Sequence, residues 1–111
     1  MDIHGRRWQI TRLAVLQRDA YRCRMLLGPD GLPLADQLDR TAGTEHGIQL
    51  TRWPVNAPTH ATVDHIVART SGGGGAEDNL QAACRRCNSQ RSAVVVNATR
   101  TAPLNVSRAW W

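Results

Sequence analysis

Three cysteines constrain the fold of this chain more than any other feature. Cys84 and Cys87 are separated by two residues, a spacing that lets both sulfurs reach one tetrahedral zinc ion, and Cys23 lies far upstream. A chain of 111 residues fits one domain, residues 1–111, and folding at that length buries only about two-thirds of the unfolded surface. With four Trp, one Tyr and no Phe the core is small, so we expect a bound metal to help stabilise it.

The three cysteines can supply three of the four ligands of a tetrahedral zinc site. Cys23 follows the first predicted helix and can supply the third ligand, but Leu26 stands where a second upstream cysteine would complete the set. His46 and His60 are both candidates, and we prefer His60 because it adjoins a predicted strand. The alternative is that no zinc binds and that the cysteines are small buried apolar residues.

The charge of the chain favours a polyanionic partner. The net charge is +5, and all fourteen basic residues are arginine. Guanidinium groups contact phosphate oxygens in pairs, so arginine without lysine suits a nucleic-acid backbone. A genome-wide codon bias would produce the same composition, and the charge alone does not separate DNA from RNA.

Neither a membrane span nor a secretion signal is predicted. No apolar run approaches the roughly 20 residues that a membrane helix needs, and the N-terminal residues lack the apolar stretch of a signal peptide. We therefore expect an intracellular protein. In a reducing compartment, three cysteines favour metal ligation over a disulfide framework.

The first half of the chain is predicted to contain one helix followed by a long irregular insertion. Apolar residues at helical spacing, including Ile10 and Leu13, predict an amphipathic helix over residues 7–21 that covers the core. Residues 28–59 are rich in Gly, Pro, Asp and Thr and follow no period, which predicts a connecting segment. Trp53 is expected to pin this segment against the body of the protein.

The second half is predicted to hold a strand, a glycine turn, a second strand and a helix within residues 60–96. β-branched residues predict a strand that begins at Ala61 and ends before Ser71 and four consecutive glycines. A second short strand is predicted at residues 80–83. A tight turn through the two cysteines then leads into a helix over residues 88–96.

The C-terminal tail, residues 97–111, ends in two tryptophans. Trp110 and Trp111 are costly to leave in water, so we expect them to pack against the core or a partner. Base stacking, with Arg108 nearby, is the alternative.

A cluster of polar residues between Asp64 and Asn88 carries the candidate chemistry. Asp64 offers a carboxylate to a hard divalent cation, and His65 offers an imidazole that can accept a proton near neutral pH. Asn79 lies 14 residues after His65, and Asn88 lies 9 residues further on, directly after the second cysteine. On a regular strand neighbouring side chains face opposite sides, so Asp64 and His65 can share a site only if the strand ends or bends there.

This register resembles the motif of the HNH endonuclease family. The string VDHIVARTSGGGGAEDNLQAACRRCNSQR carries the resemblance, and RDAYRC is similar to the lead-in found in phage and bacterial members. The likeness covers residues 7–27 and 60–92, says little about residues 28–59, and extends weakly to the terminal SRAWW. It implies an α+β domain with the ββα-metal fold, also called the His-Me finger, in which a hairpin and a helix hold one divalent ion.

The resemblance also implies a role for each motif residue. His65 matches the general base that deprotonates the attacking water, and Asp64 matches a ligand of the catalytic cation. Asn79 matches the asparagine that holds the hairpin loop in shape. Asn88 replaces the last histidine of the motif, which gives an HNN variant whose amide oxygen binds the cation. Because an amide is a harder ligand than imidazole, we expect Mg²⁺ or Mn²⁺ in this site and Zn²⁺ in the cysteine site.

Two arginines of the motif region are candidates for phosphate contacts. Arg91 stands where the family often has a basic residue and is predicted to clamp a phosphate, with a solvated helix face as the alternative. Arg86, in the turn between the cysteines, is predicted to contact the DNA backbone, as is Arg85. Cleavage by this family implies products with 5′-phosphate and 3′-hydroxyl ends.

Three functions follow from these observations. The first is a metal-dependent DNA endonuclease in the cytoplasm of a bacterial host or a phage-infected cell, acting with phage packaging proteins or as a nicking or homing enzyme. The second is a non-catalytic DNA-binding module built on the zinc site. The third is a protein-interaction domain that uses the tryptophan tail and the insertion, which leaves the motif register to coincidence.

Overall fold

A computed structural model describes residues 3–100 of the chain. The predicted hairpin and last helix are present and form the ββα unit of the expected α+β fold. The first strand of the hairpin ends earlier than predicted, at His65, and the helix begins at Arg85, so the predicted turn between the two cysteines is helical. In chain order the elements are a π-helical turn (Ile3–Arg7), α1 (Trp8–Arg18), β1 (Leu26–Leu27), β2 (Thr44–Glu45), β3 (Ala61–His65), β4 (Leu80–Cys84) and α2 (Arg85–Arg100), with short 3₁₀ turns at Arg69–Ser71 and Glu77–Asn79.

The hairpin of β3 and β4 forms the centre of the domain. The strands pair antiparallel from Ala61 opposite Cys84 to His65 opposite Leu80, and every residue of β4 is buried. Thr62 and Asp64, on one face of β3, contact α2, whereas His65 on the other face lies against α1. The two helices therefore enclose the hairpin from both sides.

The inward face of α1 differs from the predicted one. Ile10 and Leu13 are 62% and 46% exposed, whereas Val15 and Leu16 are buried. Arg12, one turn before Leu16, reaches inward and donates a hydrogen bond to the Ala61 carbonyl at 2.7 Å. The prediction of the apolar face was wrong. Polar and aromatic side chains occupy part of the helix face that packs against the hairpin, and Ile10 and Leu13 lie outside that face.

The insertion at residues 28–59 is largely irregular, as predicted, but it is well tied to the body. Its central part returns as β2 to pair with β1, and the buried side chain of Gln37 hydrogen bonds both the backbone N–H and the carbonyl of Leu26. Trp53 does not pin the segment, since it is 77% exposed. The pairing of β1 with β2 and the hydrogen bonds of Gln37 hold the insertion against the body instead.

Asp19, in the RDAYRC segment, ties the end of α1 to β4. Its buried carboxylate accepts hydrogen bonds from Arg18 at 2.9 Å, from Arg24 at 3.3 Å and from the backbone N–H of Ala82 at 2.9 Å. Burial alone would raise its pKa, but the Arg18 and Ala82 hydrogen bonds outweigh burial and the pKa is lowered. The lead-in segment thus fixes the direction in which the chain enters the cysteine site.

We predict that Asp19→Asn lowers the free energy of unfolding at pH 7 by about 2 kcal/mol, the scale of hydrogen bonds to a charged group. Because the folded-state pKa of Asp19 is lowered, its stabilisation is present above the unfolded pKa and is lost as pH falls through the folded pKa. Urea denaturation at pH 7 and pH 5.5 checks this. Both values lie above the unfolded pKa of an aspartate, so wild type should exceed the variant by the same amount at each, and equal stability of the two proteins at pH 7 would contradict the assignment.

In the part of the chain that the structure describes, no helix is long and apolar enough to cross a membrane. The predicted packing of Trp110 and Trp111, and the alternative contact near Arg108, lie outside the described residues.

Candidate active site and candidate metal centre

Four side chains from three parts of the chain meet in one cluster. The ligand atoms of Cys23, His46, Cys84 and Cys87 all lie within 4.8 Å of one another. His46 Nδ1 is 3.3 Å from the Cys87 sulfur and 3.8 Å from the Cys84 sulfur. A tetrahedral zinc ion with 2.3 Å bonds to sulfur would place its ligands roughly 3.8 Å apart. Three thiols and one imidazole at these distances fit the donor set of a structural zinc site.

The preference for His60 as the histidine of this cluster is corrected by the structure. His60 lines a separate surface cavity beside Arg12 and Tyr21, and its buried Nδ1 has no hydrogen-bond partner among residues 3–100. The cluster's histidine is His46, from the insertion.

The pairing of β1 with β2 explains how the insertion delivers His46. The backbone N–H of His46 donates to the Met25 carbonyl at 2.9 Å, and that of Gly47 donates to the Cys23 carbonyl at 2.8 Å. Leu26, where a second upstream cysteine was expected, is a core residue that pairs with Glu45. The missing ligand is therefore supplied by the residue that directly follows the paired strand β2.

The three thiols of the cluster influence one another's ionisation. Hydrogen bonds from the thiols of Cys23 and Cys87 lower the pKa of Cys84. Hydrogen bonding to Cys84 raises the pKa of Cys23, and hydrogen bonding to Cys23 and Cys84 raises that of Cys87. The buried group thus accommodates one thiolate readily and resists further negative charge. A divalent cation at the centre would allow all three thiols to ionise.

A second feature is a cavity of about 240 Å³ at the end of β3. It brings together three of the four motif residues from β3 and α2. Its lining comprises Val63, Asp64, His65, Ala68, Arg69, Asn88, Arg91, Ser92, Val95 and Val96. Because β3 ends at His65, the neighbouring side chains of Asp64 and His65 both reach this cavity.

His65 lines this cavity as a partly buried imidazole. Its ring stacks on Trp8 of α1, with centroids 6.5 Å apart and planes 6° from parallel. Burial lowers the pKa of His65, and the positive charges of Arg69 and Arg91 act in the same direction, against the opposing effect of Asp64. The lowered pKa favours the neutral imidazole at neutral pH, which is the form that a general base needs.

Asp64 uses one of its carboxylate oxygens within the protein. Oδ2 accepts hydrogen bonds from Arg91 at 2.8 Å and from Gln81 at 3.1 Å. Burial raises the pKa of Asp64, while Arg91 and Gln81 act to lower it. Among the described residues no donor reaches Oδ1, so that oxygen is the one available to a ligand in the cavity.

Asn88 is held with its amide nitrogen toward β3. Nδ2 donates to the Thr62 hydroxyl at 3.1 Å and to the Val63 carbonyl at 3.2 Å. A carbonyl can only accept, so the nitrogen must be the atom on this side. No donor from residues 3–100 reaches Oδ1. Asn88 therefore offers a neutral oxygen, a donor type that suits Mg²⁺ or Mn²⁺.

Asn79 holds the loop between β3 and β4, the contact that the family resemblance implies. Its Nδ2 donates to the carbonyls of Val67 at 3.2 Å and Gly74 at 2.8 Å, and its Oδ1 accepts from the Val67 N–H at 2.8 Å. Gly73 is required beside this contact, because a Cβ there would lie 1.7 Å from the Val67 carbonyl oxygen. Asn79 shapes the loop and does not line the cavity.

Arg91 does not have the role of a phosphate clamp that the sequence predicts, nor is it on a solvated face. Its side chain is 5% exposed, and it donates to Asp64 and to the carbonyls of Ala35, His65 and Ile66. These contacts use all five N–H groups of a guanidinium. Arg91 instead ties α2 to β3 and to the insertion. Arg86, by contrast, is exposed on the first turn of α2 beside Arg85.

Sequence reasoning missed Trp8 and Gln81 and ranked His46 second. Trp8 belongs to α1, and Gln81 lies on β4 where it donates to the Asp64 carboxylate. No local pattern links any of them to the motif. Alternation along β4 does not reveal Gln81, since every residue of that strand is buried.

Comparison with known proteins addresses the motif directly. Residues 52–93 match the family model described as HNH endonuclease, which confirms the resemblance. The matched segment contains β3, β4, the first half of α2 and two cysteines, whereas Trp8, Cys23 and His46 lie outside it. Neither the curated proteins nor the solved structures gave a match to this chain.

Proposed function

We propose, from the HNH endonuclease match at residues 52–93, that this chain is a DNA endonuclease that depends on a divalent cation. The observation that carries the proposal is that Asp64, His65 and Asn88 line one cavity. Asp64 and Asn88 each have an oxygen that no donor of the described residues reaches, and the pKa of His65 is lowered. The net charge of +5 suits the phosphate backbone of the substrate.

The reaction is hydrolysis of a phosphodiester bond. His65 accepts a proton from water, and the water oxygen forms a bond to phosphorus. The bond from phosphorus to the 3′ oxygen breaks, and that oxygen takes a proton from solvent, which leaves 5′-phosphate and 3′-hydroxyl ends. Asp64 Oδ1 and Asn88 Oδ1 would hold Mg²⁺ or Mn²⁺. When bound, the cation neutralises charge that builds up on the phosphate oxygens.

The experiment that tests this proposal is cleavage of supercoiled plasmid. The protein should nick or linearise the DNA with Mg²⁺ or Mn²⁺, and EDTA should stop the reaction. Salt-sensitive DNA binding by wild type and by Asp64→Ala, without cleavage under any divalent cation, would instead support a non-catalytic DNA-binding module.

Replacement of Asn88 tests the cation site. We predict that Asn88→Ala lowers the cleavage rate and raises the Mn²⁺ concentration for half-maximal cleavage by at least about tenfold, because a ligand is lost. Asn88→His, which restores the usual residue of the motif, should retain much of the activity. Ser89→Ala, on the next and exposed residue, is the matched control. Equal Mn²⁺ dependence in all of these proteins would contradict the assignment.

We also propose that the cluster of Cys23, His46, Cys84 and Cys87 binds a structural Zn²⁺. The donor types and their distances support it, and its ligands come from the segment after α1, the insertion, the end of β4 and the first turn of α2. Arg86, exposed on the first turn of α2, is proposed to contact a DNA phosphate.

Two further hypotheses concern where the protein acts. We propose that it acts in the cytoplasm, where thiols stay reduced. A link to phage packaging proteins rests on the family resemblance alone.

A further inference from the structure

The side chains that line the proposed cation site carry no net negative charge. Asp64 supplies one negative charge and Asn88 supplies none. Arg91 places one positive charge 2.8 Å from the same carboxylate. Arg69 adds a second positive charge to the lining, and no acidic residue other than Asp64 lines the cavity in the described part of the chain. The protein therefore offers a divalent cation two oxygens and no net negative charge.

Arg91 is not a side chain that a cation can readily displace. All of its donors are used, with its Nη2 2.7 Å from the carbonyls of Ala35 and Ile66, and these bonds connect three parts of the fold. Its guanidinium is nearly inaccessible to solvent. A cation that binds Asp64 Oδ1 must therefore share the carboxylate with Arg91.

We propose that this arrangement makes cation binding depend on DNA. The inference rests on the proposed function and concerns the same site. Mg²⁺ dehydrates reluctantly and is usually held by one or two carboxylates together with substrate phosphates. Here Arg91 already neutralises the single carboxylate, so the scissile phosphate supplies the missing negative charge. Cation and DNA each raise the affinity of the other by the same factor, as linkage requires.

The test measures binding without turnover. Zinc-loaded His65→Ala protein is titrated with a fluorescent DNA duplex at constant ionic strength, with and without Mn²⁺, and DNA affinity is read from anisotropy. We expect saturating Mn²⁺ to tighten DNA binding by about 5- to 150-fold, the usual range of coupling. The double variant His65→Ala/Asn88→Ala, which lacks a cation ligand, controls for the effect of Mn²⁺ on DNA itself and should show little tightening.

The reverse titration measures Mn²⁺ affinity by electron paramagnetic resonance of the free ion. In the His65→Ala protein, Mn²⁺ should bind the pocket more tightly with DNA than without it, by the same factor. Equal Mn²⁺ affinity with and without DNA, or tightening of equal size in the two variants, would overturn the inference.

Two further variants separate charge from hydrogen bonding. Arg91→Gln removes the charge beside Asp64 and should strengthen Mn²⁺ binding in the absence of DNA and reduce the coupling. Gln81→Leu removes the neutral donor to the same oxygen and should leave the coupling largely intact. If Arg91→Gln does not fold, the DNA and Mn²⁺ titrations of the His65→Ala protein are sufficient to test whether cation and DNA binding are coupled.

Failure of the inference is distinguishable from failure of the proposed function. Metal-dependent plasmid cleavage by wild type without coupling would overturn the inference and leave the nuclease intact. Absence of both cleavage and DNA binding would overturn the two together.

Discussion

Replacement of His65 by alanine is expected to lower the single-turnover rate of DNA cleavage by about 10²- to 10⁴-fold, the usual contribution of a positioned general base. The physical reason is that His65 lines the cavity with a lowered pKa and a ring held against Trp8. The rate is measured with protein in excess over a labelled duplex at saturating Mn²⁺. DNA affinity should change little, because a neutral imidazole brings no positive charge to the phosphate backbone.

Chemical rescue controls for structural damage in this variant. Added imidazole should restore part of the cleavage by His65→Ala, because a small base can occupy the space of the deleted ring. It should not restore cleavage by Asn88→Ala, which lacks a cation ligand and retains the base. An unchanged rate in pure His65→Ala protein would show that another group is the base.

Replacement of His46 by alanine is expected to remove bound zinc and with it the stable fold. Structural zinc sites contribute about 10–16 kcal/mol of apparent binding energy in zinc-finger peptides, more than the total stability of most small domains. Wild type should contain one zinc per chain by elemental analysis. His46→Ala should contain far less and lose the cooperative thermal transition seen by circular dichroism.

His60→Ala is the matched control, because it removes the other histidine that was a candidate ligand. His60 lies outside the cluster, so this protein should keep its zinc. Cys84→Ser should behave like His46→Ala. Full zinc content in His46→Ala, or loss of zinc in His60→Ala, would contradict the assignment of the ligands.

The parts of the molecule that could be predicted from sequence are those that are local in the chain. The hairpin and α2 are contiguous, so β-branched residues, the glycine turn and the cysteine spacing indicate them directly. Asn79 lies at the base of the same hairpin. Its contacts with Val67 and Gly74 span at most twelve residues. Local patterns were therefore sufficient for the motif and for its immediate support.

The parts that could not be predicted depend on contacts between distant segments. His46 reaches the cysteines through β1 and β2, which are two residues long each and leave no alternation to detect. Arg91 was expected to be accessible, either to a phosphate or to solvent. The insertion covers it through Ala35, and no sequence periodicity in the insertion predicts that contact. Both errors arise from residues 28–59. This insertion supplies His46 to the cysteine cluster, and its Ala35 carbonyl covers Arg91 beside the cavity.

The same limitation applies to α1. Hydrophobic periodicity selects apolar residues, but the helix turns Trp8 and Arg12 toward the hairpin because each finds a specific partner there, the His65 ring and the Ala61 carbonyl. Such partners outweigh the cost of burying polar groups. Those partners are 57 and 49 residues away in sequence and are invisible to a local pattern.

The most direct test of the central claim compares wild type and His65→Ala on supercoiled plasmid with Mn²⁺, followed by DNA ligase. We predict that wild type produces nicked circles that ligase seals, since hydrolysis leaves 5′-phosphate and 3′-hydroxyl ends, and that His65→Ala produces almost none. Equal nicking by the two proteins, no nicking by zinc-loaded wild type, or nicks that ligase cannot seal would contradict the account.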